Sequence, residues 1–420
     1  MTKKNNPFHR KSYRKWFLAD TFLEVSLSTT LATSLLIIDA TKSVSSAGII
    51  MGAINALGLI AVVLGGGFAD LISRRSILKK TIYISLLSNL TLSIILIFKE
   101  NSPEHISFLT FAIIILAILA QVSLSFANPA LDGALKKIIS PEEYPRAMSA
   151  TQARSSALSI AGSPATGWLY SMFAVFPFAL RFICESIFLV SLSRIKENLD
   201  ASAETGKTRI NKKIVKAIQG YKEGIIFLSS QPALSRILIC APLVNAMVFS
   251  ATTWTIYYLR DKGVDPSTIG FVSAGFAAGG IVGSSLTPFI TDRVKPGILS
   301  IYGLGMMVIL FAIYFCLPHN PINMFTMAIL CMLPSPALNA GLFSYVFRVT
   351  PDELQGRTIA TFSLVAGLAT VIAPLASGWA VSTRHSLILG VLVCSLGLLG
   401  VTLLASSKEV RGMGLTRRVL

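Results

Sequence analysis

Gly65-Gly66-Gly67-Phe68-Ala69-Asp70-Leu71-Ile72-Ser73-Arg74-Arg75 closes an apolar run that begins at Ser45. Ser45–Ala69 contains no charged residue. At ~1.5 Å per residue, a helix of that length crosses a hydrocarbon layer of ~30 Å. The acid and the two arginines that follow stand where such a helix meets water. Working outward, similar windows recur along the whole chain, from Trp16–Ile38 at one end to Leu387–Ala405 at the other. Hydrophobic residues make up 53% of the 420 and charged residues 14%. So little charge does not coat a soluble surface, and so many aliphatics exclude disorder. The expected fold is an all-α membrane protein with twelve transmembrane helices in two six-helix halves. The first helix is too long to read as a cleaved signal peptide.

Charge placement sets the expected orientation. The net charge is +17. With the N-terminus inside, the inner segments hold Lys3, Lys4, Arg10, Lys11, Arg14 and Lys15, then Arg74, Arg75, Lys79 and Lys80. They also hold the basic residues between Arg194 and Lys222 and the tail residues Lys408, Arg411, Arg417 and Arg418. The outer loops hold only Lys42, Lys99, Arg260, Lys262 and Arg384. This asymmetry follows the positive-inside rule and places both termini in the cytoplasm. It explains the basic excess without nucleic acid and points to anionic lipid headgroups as its partner. Cys184, Cys240, Cys316, Cys331 and Cys394 lie in apolar stretches without metal-ligand spacing and read as buried thiols. No metal site is expected.

The halves repeat. Pro141-Glu142-Glu143-Tyr144, Ala150-Thr151 and Pro164 correspond to Pro351-Asp352-Glu353-Leu354, Ala360-Thr361 and Pro374, each offset by 210 residues. A shared offset over such a distance indicates duplication, and two related halves suit alternating access. The expected organisation is an N-terminal half over 1–193, a cytoplasmic linker over 194–233 and a C-terminal half with a basic tail over 234–420. Apolar residues at Ile214, Ala217, Ile218, Tyr221, Ile225 and Phe227 give the linker an amphipathic helix. Ala201–Thr208 matches a relaxed phosphate-loop pattern but lacks the strand–loop–helix context, so nucleotide binding is not expected.

The stretch from Gly65 to Arg75 resembles the signature between helices 2 and 3 of the major facilitator superfamily, with Asp70, Arg74 and Arg75 in the family places and Leu71 and Ser73 departing from it. Asp292-Arg293 after helix 8 is a weaker counterpart. The resemblance implies a gating latch, with Asp70 accepting from the N-terminal amides of helix 11 and Arg74 or Arg75 pairing with Asp132. Ser159-Ile160-Ala161-Gly162-Ser163-Pro164-Ala165-Thr166-Gly167-Trp168 resembles a degraded antiporter motif that keeps Pro164 and Gly167. Tyr221–Leu228, Gln231-Pro232-Ala233-Leu234 and Asn128-Pro129-Ala130 resemble a branch of macrolide efflux proteins and enterobactin-type siderophore exporters. The resemblance implies proton-driven export of a bulky organic molecule from a bacterial cytoplasm.

Charges at membrane depth are functional candidates because burial there is costly. Asp20 and Glu24 share one face of helix 1, one turn apart. Two neighbouring carboxylates at depth can take and release a proton. Arg154 on helix 5 is a candidate counter-charge for them or for an anionic substrate. Arg181 and Glu185, at i and i+4 on helix 6, are expected to pair with each other. Asn55, Gln121, Asn245 and Asn339 add neutral polar groups to a cavity, and Phe249, Trp254 and Tyr257 an aromatic wall. Gly48, Gly52 and Ala56, and likewise Gly275, Gly279 and Gly283, form small-residue stripes for close helix contact. The expected function is secondary export by proton antiport, monomeric, without a cofactor, in the bacterial inner membrane. Proton-coupled uptake, lysophospholipid movement and a non-transporting sensor are the alternatives. Nothing suggests an enzyme.

Overall fold

The computed structural model describes residues 6–69, 72–99, 106–140, 142–195, 197, 199–200, 210–291 and 294–413. Among them there is no strand. The helices are α1 (Lys11–Ser28), α2 (Thr30–Thr41), α3 (Val44–Ala69), α4 (Arg74–Lys99), α5 (Ile106–Ile138), α6 (Tyr144–Met172), α7 (Phe176–Ser193) and α8 (Ile210–Ser230). They continue as α9 (Pro232–Asp261), α10 (Pro266–Thr291), α11 (Pro296–Cys316), α12 (Pro321–Met332), α13 (Ser335–Val349), α14 (Asp352–Ser382), α15 (Ser386–Ala405) and α16 (Lys408–Arg411). Four helices of the second half open on proline, whose fixed φ and missing N–H suit the first helical position.

The chain is a multi-pass membrane protein. Among the described residues eleven spans are long and apolar enough to cross a membrane by themselves. The twelfth is α6, whose 29 residues suffice in length but whose Arg154 and serines dilute its apolarity. The twelve-helix arrangement is therefore present, with one span held in place by its neighbours rather than by its own hydropathy.

Three spans differ from a straight reading of their apolar windows. The first breaks at Thr29 into α1 and α2. There Ser28 and Thr29 turn their hydroxyls onto the carbonyls of Val25 and Ser26, at 2.7 Å each, offering the backbone an alternative to the helix ladder. The tenth divides at Leu333-Pro334 into α12 and α13, where proline supplies no N–H. The fourth window extends past Leu131 to Ile138, straight through Pro129.

The chain divides into two units. One comprises Met1–Lys42 and Ala53–Ile218, the other Ser43–Gly52 and Gln219–Leu420. In the first, α1 packs on α6 and α7, and α4 packs between α5 and α7. In the second, α9 packs on α14 and α15, and α11 packs on α12, α13 and α15. The two patterns are the same pattern repeated, as the offset of 210 residues requires. The core of the first unit is built of Tyr13, Trp16, Leu23, Leu78, Phe188 and their neighbours.

Both glycine stripes make close contacts. A Cβ on Gly279 or Gly283 would overlap the carbonyl of Ile329 or Leu333, and one on Gly275 would sit 2.7 Å from that of Phe325. Within the second unit, Gly48 lies against the carbonyl of Pro374 and against Gly378. Gly279→Val should therefore force α10 from α12. Overpacking of this kind costs about 1–3 kcal/mol. The thermal midpoint of the purified protein should fall by several degrees, whereas Gly280→Val, with open space at its Cβ position, should leave it unchanged. Equal midpoints for the two would refute the contact.

All five cysteines are free. Cys184, Cys240 and Cys331 are buried and Cys394 is half-buried, but Cys316 is exposed. In a membrane protein an apolar stretch has an outer face as well as an inner one, and Cys316 ends α11 on that outer face. Trp254 and Tyr257 are completely enclosed. Trp254 is surrounded by Tyr258, Tyr314, Phe315 and His319, so both are core residues of the second unit rather than an open aromatic wall. Phe249 is exposed.

Candidate functional site

Ionisable groups at membrane depth concentrate in the first unit. Asp20 and Glu24 lie one turn apart on α1, facing α6. Arg154 of α6 donates from Nη1 to Asp20 Oδ2 at 2.7 Å, and its Nη2 stands 4.0 Å from Glu24 Oε2. The Arg154 side chain is only 8% exposed, against 21% for Asp20 and 32% for Glu24. The guanidinium also lies over the Phe17 ring at 5.3 Å, a cation–π contact that replaces part of its hydration. Nε of Arg154 and the hydroxyl of Tyr13 are enclosed polar atoms without a hydrogen-bond partner. Tyr13 lies within electrostatic range of Asp20 and Arg154.

Asp132 on α5 reaches the same region. It is accessible, and its electrostatic neighbours are Asp20 and Lys136. Among the described residues no ion pair within 4 Å joins Asp132 to Arg74 or Arg75. Arg74 donates to the carbonyls of Gly133 (2.8 Å) and Leu199 (3.4 Å), and its amide donates to Asp200. Arg75 holds the carbonyls of Leu192, Ile195 and Glu197. Arg74 thus ties α4 to α5 and to the segment after α7, and Arg75 ties it to the end of α7 and that same segment. Asp70, Asp292 and Arg293 of the implied latch, and the phosphate-loop look-alike Ala201–Thr208, lie outside the described residues.

A second polar cluster sits deeper. Glu185 of α7 is completely buried. Its Oε1 accepts from Ser26 (3.0 Å), Ser85 (2.9 Å) and Asn89 (3.1 Å), and Asn89 also reaches Oε2 at 3.2 Å. Arg181 donates from Nε to the Thr29 hydroxyl at 2.5 Å. Among the described residues no ion pair within 4 Å joins Arg181 to Glu185, although each feels the other's charge. The expected i, i+4 pair is thus corrected: neighbouring helices supply fixed donors that the helix's own arginine does not displace. Both residues grip the break between α1 and α2, Glu185 through Ser26 and Arg181 through Thr29.

The antiporter-like segment meets this break from the other side. α6 runs unbroken through Pro164, and Gly167 is buried. A Cβ on Gly162 would lie 2.7 Å from that of Ser28, so α6 touches the chain at the Thr29 break. One helix therefore carries both Arg154 and the glycine contact. Of the neutral polar residues, Asn55 and Gln121 are half-buried, Asn245 donates to the carbonyl of Ala366 at 3.3 Å, and Asn339 is exposed. Asn89, Ser26 and Ser85 were not among the sequence candidates. Asn89 carried the same signal as Asn55, an amide inside an apolar window. Asp39, which accepts from Tyr170 at 2.8 Å, was also legible as a charge near a span end.

Outside the spans, Glu143 occupies the turn before α6. Burial pushes its carboxyl up, but the Ser140 amide and the Arg10 guanidinium together hold it below the usual carboxylate range. This fixes the N-terminal arm to the repeat motif. In the other half, Arg357 pairs with Glu223 of α8, and Gly224 lies closely against Arg357 and Thr361, so the linker helix docks on the start of α14.

A family model described as Major Facilitator Superfamily matches residues 18–374 and, in a second match, 238–413. No curated protein matches the chain. Among solved structures, a bacterial homologue of the iron transporter ferroportin in an inward-facing state superposes with a TM-score of 0.71 at 13% identity, covering 96% of this chain and 99% of that one. A peptide transporter, POT, gives 0.68 at 14% identity over 96% and 95% of the two chains. A D-xylose–proton symporter gives 0.64 at 15% identity over 94% and 97%. At such identities these likenesses establish the fold.

Proposed function

Because the chain belongs to the Major Facilitator Superfamily and has a transporter fold, we propose that it exports a bulky drug-like or siderophore-like molecule from a bacterial cytoplasm in exchange for protons. The observation that carries this reading is Arg154, clamped at 2.7 Å by Asp20 and approached at 4.0 Å by Glu24. Arginine keeps its charge at any working pH, so the carboxylates are the groups that change. Asp20 is the tether. Glu24, more exposed and more loosely held, takes a proton from the acidic side when it faces outward, which weakens its hold on substrate or on Arg154, and the substrate leaves. Facing inward, Glu24 gives the proton up to the cytoplasm as the next substrate binds, so that one proton enters as one substrate departs. The Pro164–Gly167 segment, similar to an antiporter motif, favours exchange over uptake. Both termini lie in the cytoplasm in this reading, and the proton gradient takes the place of a cofactor.

The test uses purified protein in vesicles with a pH-sensitive dye inside. Macrolides, dyes and siderophores are added in turn. Protons moving opposite to one of these substrates support exchange. Protons moving with substrate would make the protein an uptake symporter, and no coupled movement with any of them would refute the assignment.

A further inference from the structure

On its outer surface the first unit bears a groove of about 450 Å³ between α4 and α7, lined by Lys79, Lys80, Tyr83, Leu189, Val190 and Ser193. Its walls are almost entirely apolar, and Tyr83 and Val190 are 55% and 51% exposed. Lys79 and Lys80 are also exposed, and among the described residues neither has a hydrogen bond or an ion pair. Beside the groove, Arg75, one turn before Lys79, fastens α4 to the carbonyl of Leu192 in α7 and to those of Ile195 and Glu197 just past its end. Lys79 and Lys80 stand near the start of α4, where the span leaves the membrane, and Tyr83 lies one turn deeper into it.

We propose that this groove binds one anionic phospholipid, its phosphate on Lys79 and Lys80 and an acyl chain against Tyr83, Leu189 and Val190. The charge and the apolar wall point to the same occupant. A free phosphate uses the lysines and leaves the apolar wall bare. A neutral lipid or a detergent tail uses the wall and leaves two cations unpaired at the membrane surface, where an anionic headgroup is worth most to each lysine. Only a molecule with both parts satisfies the whole groove. A lipid seated there spans the α4–α7 seam, the one that Arg75 closes. This site is independent of the exchange reaction, and its failure would leave that reaction untouched.

Native mass spectrometry of the full-length protein in detergent tests it, with dioleoyl phosphatidylglycerol and dioleoyl phosphatidylcholine as probes. Wild type should retain phosphatidylglycerol several-fold over phosphatidylcholine. Lys79→Gln with Lys80→Gln should abolish the preference. Val190→Trp, which fills the groove and keeps both lysines, should lower phosphatidylglycerol occupancy as far. Lys408→Gln with Arg411→Gln, the same loss of charge elsewhere, should change nothing. The proposal is overturned if both groove variants bind phosphatidylglycerol as wild type does, or if Val190→Trp leaves binding intact. It is equally overturned if the Lys408–Arg411 variant loses the preference too, or if millimolar inorganic phosphate displaces the lipid.

Discussion

Arg154→Met should uncouple the protein. In vesicles, substrate-driven proton movement is expected to fall about ten- to a hundredfold while the protein still inserts. The reason lies in the geometry around the guanidinium. It is the cation between Asp20 and Glu24, buried to 8% exposure, and methionine fills much of its volume without charge. Losing one partner of a buried pair costs about 3–5 kcal/mol, and an exposed pair under ~1. This site lies between, so roughly 1–3 kcal/mol is withdrawn from the state in which the carboxylates face Arg154. Glu24→Gln should give the same loss of coupling by holding position 24 neutral, with substrate exchange in the absence of a gradient surviving. Asp20→Asn should weaken both, because the 2.7 Å bond to Arg154 positions the whole cluster. Full coupling in Glu24→Gln would remove Glu24 from the mechanism, and full coupling in Arg154→Met would remove the site.

Glu185→Ala should be the most damaging change to the first unit. It would leave the hydroxyls of Ser26 and Ser85 without their acceptor and the amide of Asn89 with only Ser85 Oγ, and Arg181 without the neighbouring negative charge, in a region closed to water. Such a loss costs about 3–5 kcal/mol. The thermal midpoint should fall by roughly 10 °C, taking ~2–4 °C per kcal/mol for a unit of this size. Glu185→Gln keeps an oxygen for Ser26 and Ser85 and should recover most of that loss. If Gln were as harmful as Ala, the charge balance with Arg181 would matter more than the three donors. If neither moved the midpoint, the cluster would be dispensable for the fold. The same variants bear on turnover, because Ser26 and Thr29 border the break between α1 and α2 that α6 touches at Gly162.

The fold was legible because the membrane imposes it. A backbone in hydrocarbon has to satisfy its own hydrogen bonds, so an apolar window of sufficient length becomes helical, apart from the local breaks at Thr29 and at Leu333-Pro334. The repeat offset then relates the halves without any coordinate. That Asp20, Glu24 and Arg154 come together was legible for the converse reason: desolvation is so costly at that depth that charges there make a candidate site.

What a charged group pairs with was another matter. The i, i+4 spacing of Arg181 and Glu185 is a local fact, but the rotation of α7 against α1 and α4 is a tertiary one, and it hands Glu185 to Ser26, Ser85 and Asn89 instead. The burial of Trp254 among Tyr258, Tyr314 and Phe315, and the outward turn of Cys316, depend in the same way on which face of a helix its neighbours cover. The break at Thr29 needed the Ser28 and Thr29 hydroxyls to turn back onto the carbonyls of Val25 and Ser26. The sequence by itself determined the succession of spans and marked the charged residues that are costly at membrane depth. Only the tertiary structure decided which side chains meet, because helix length follows from one segment's chemistry, whereas helix rotation is fixed by packing among several.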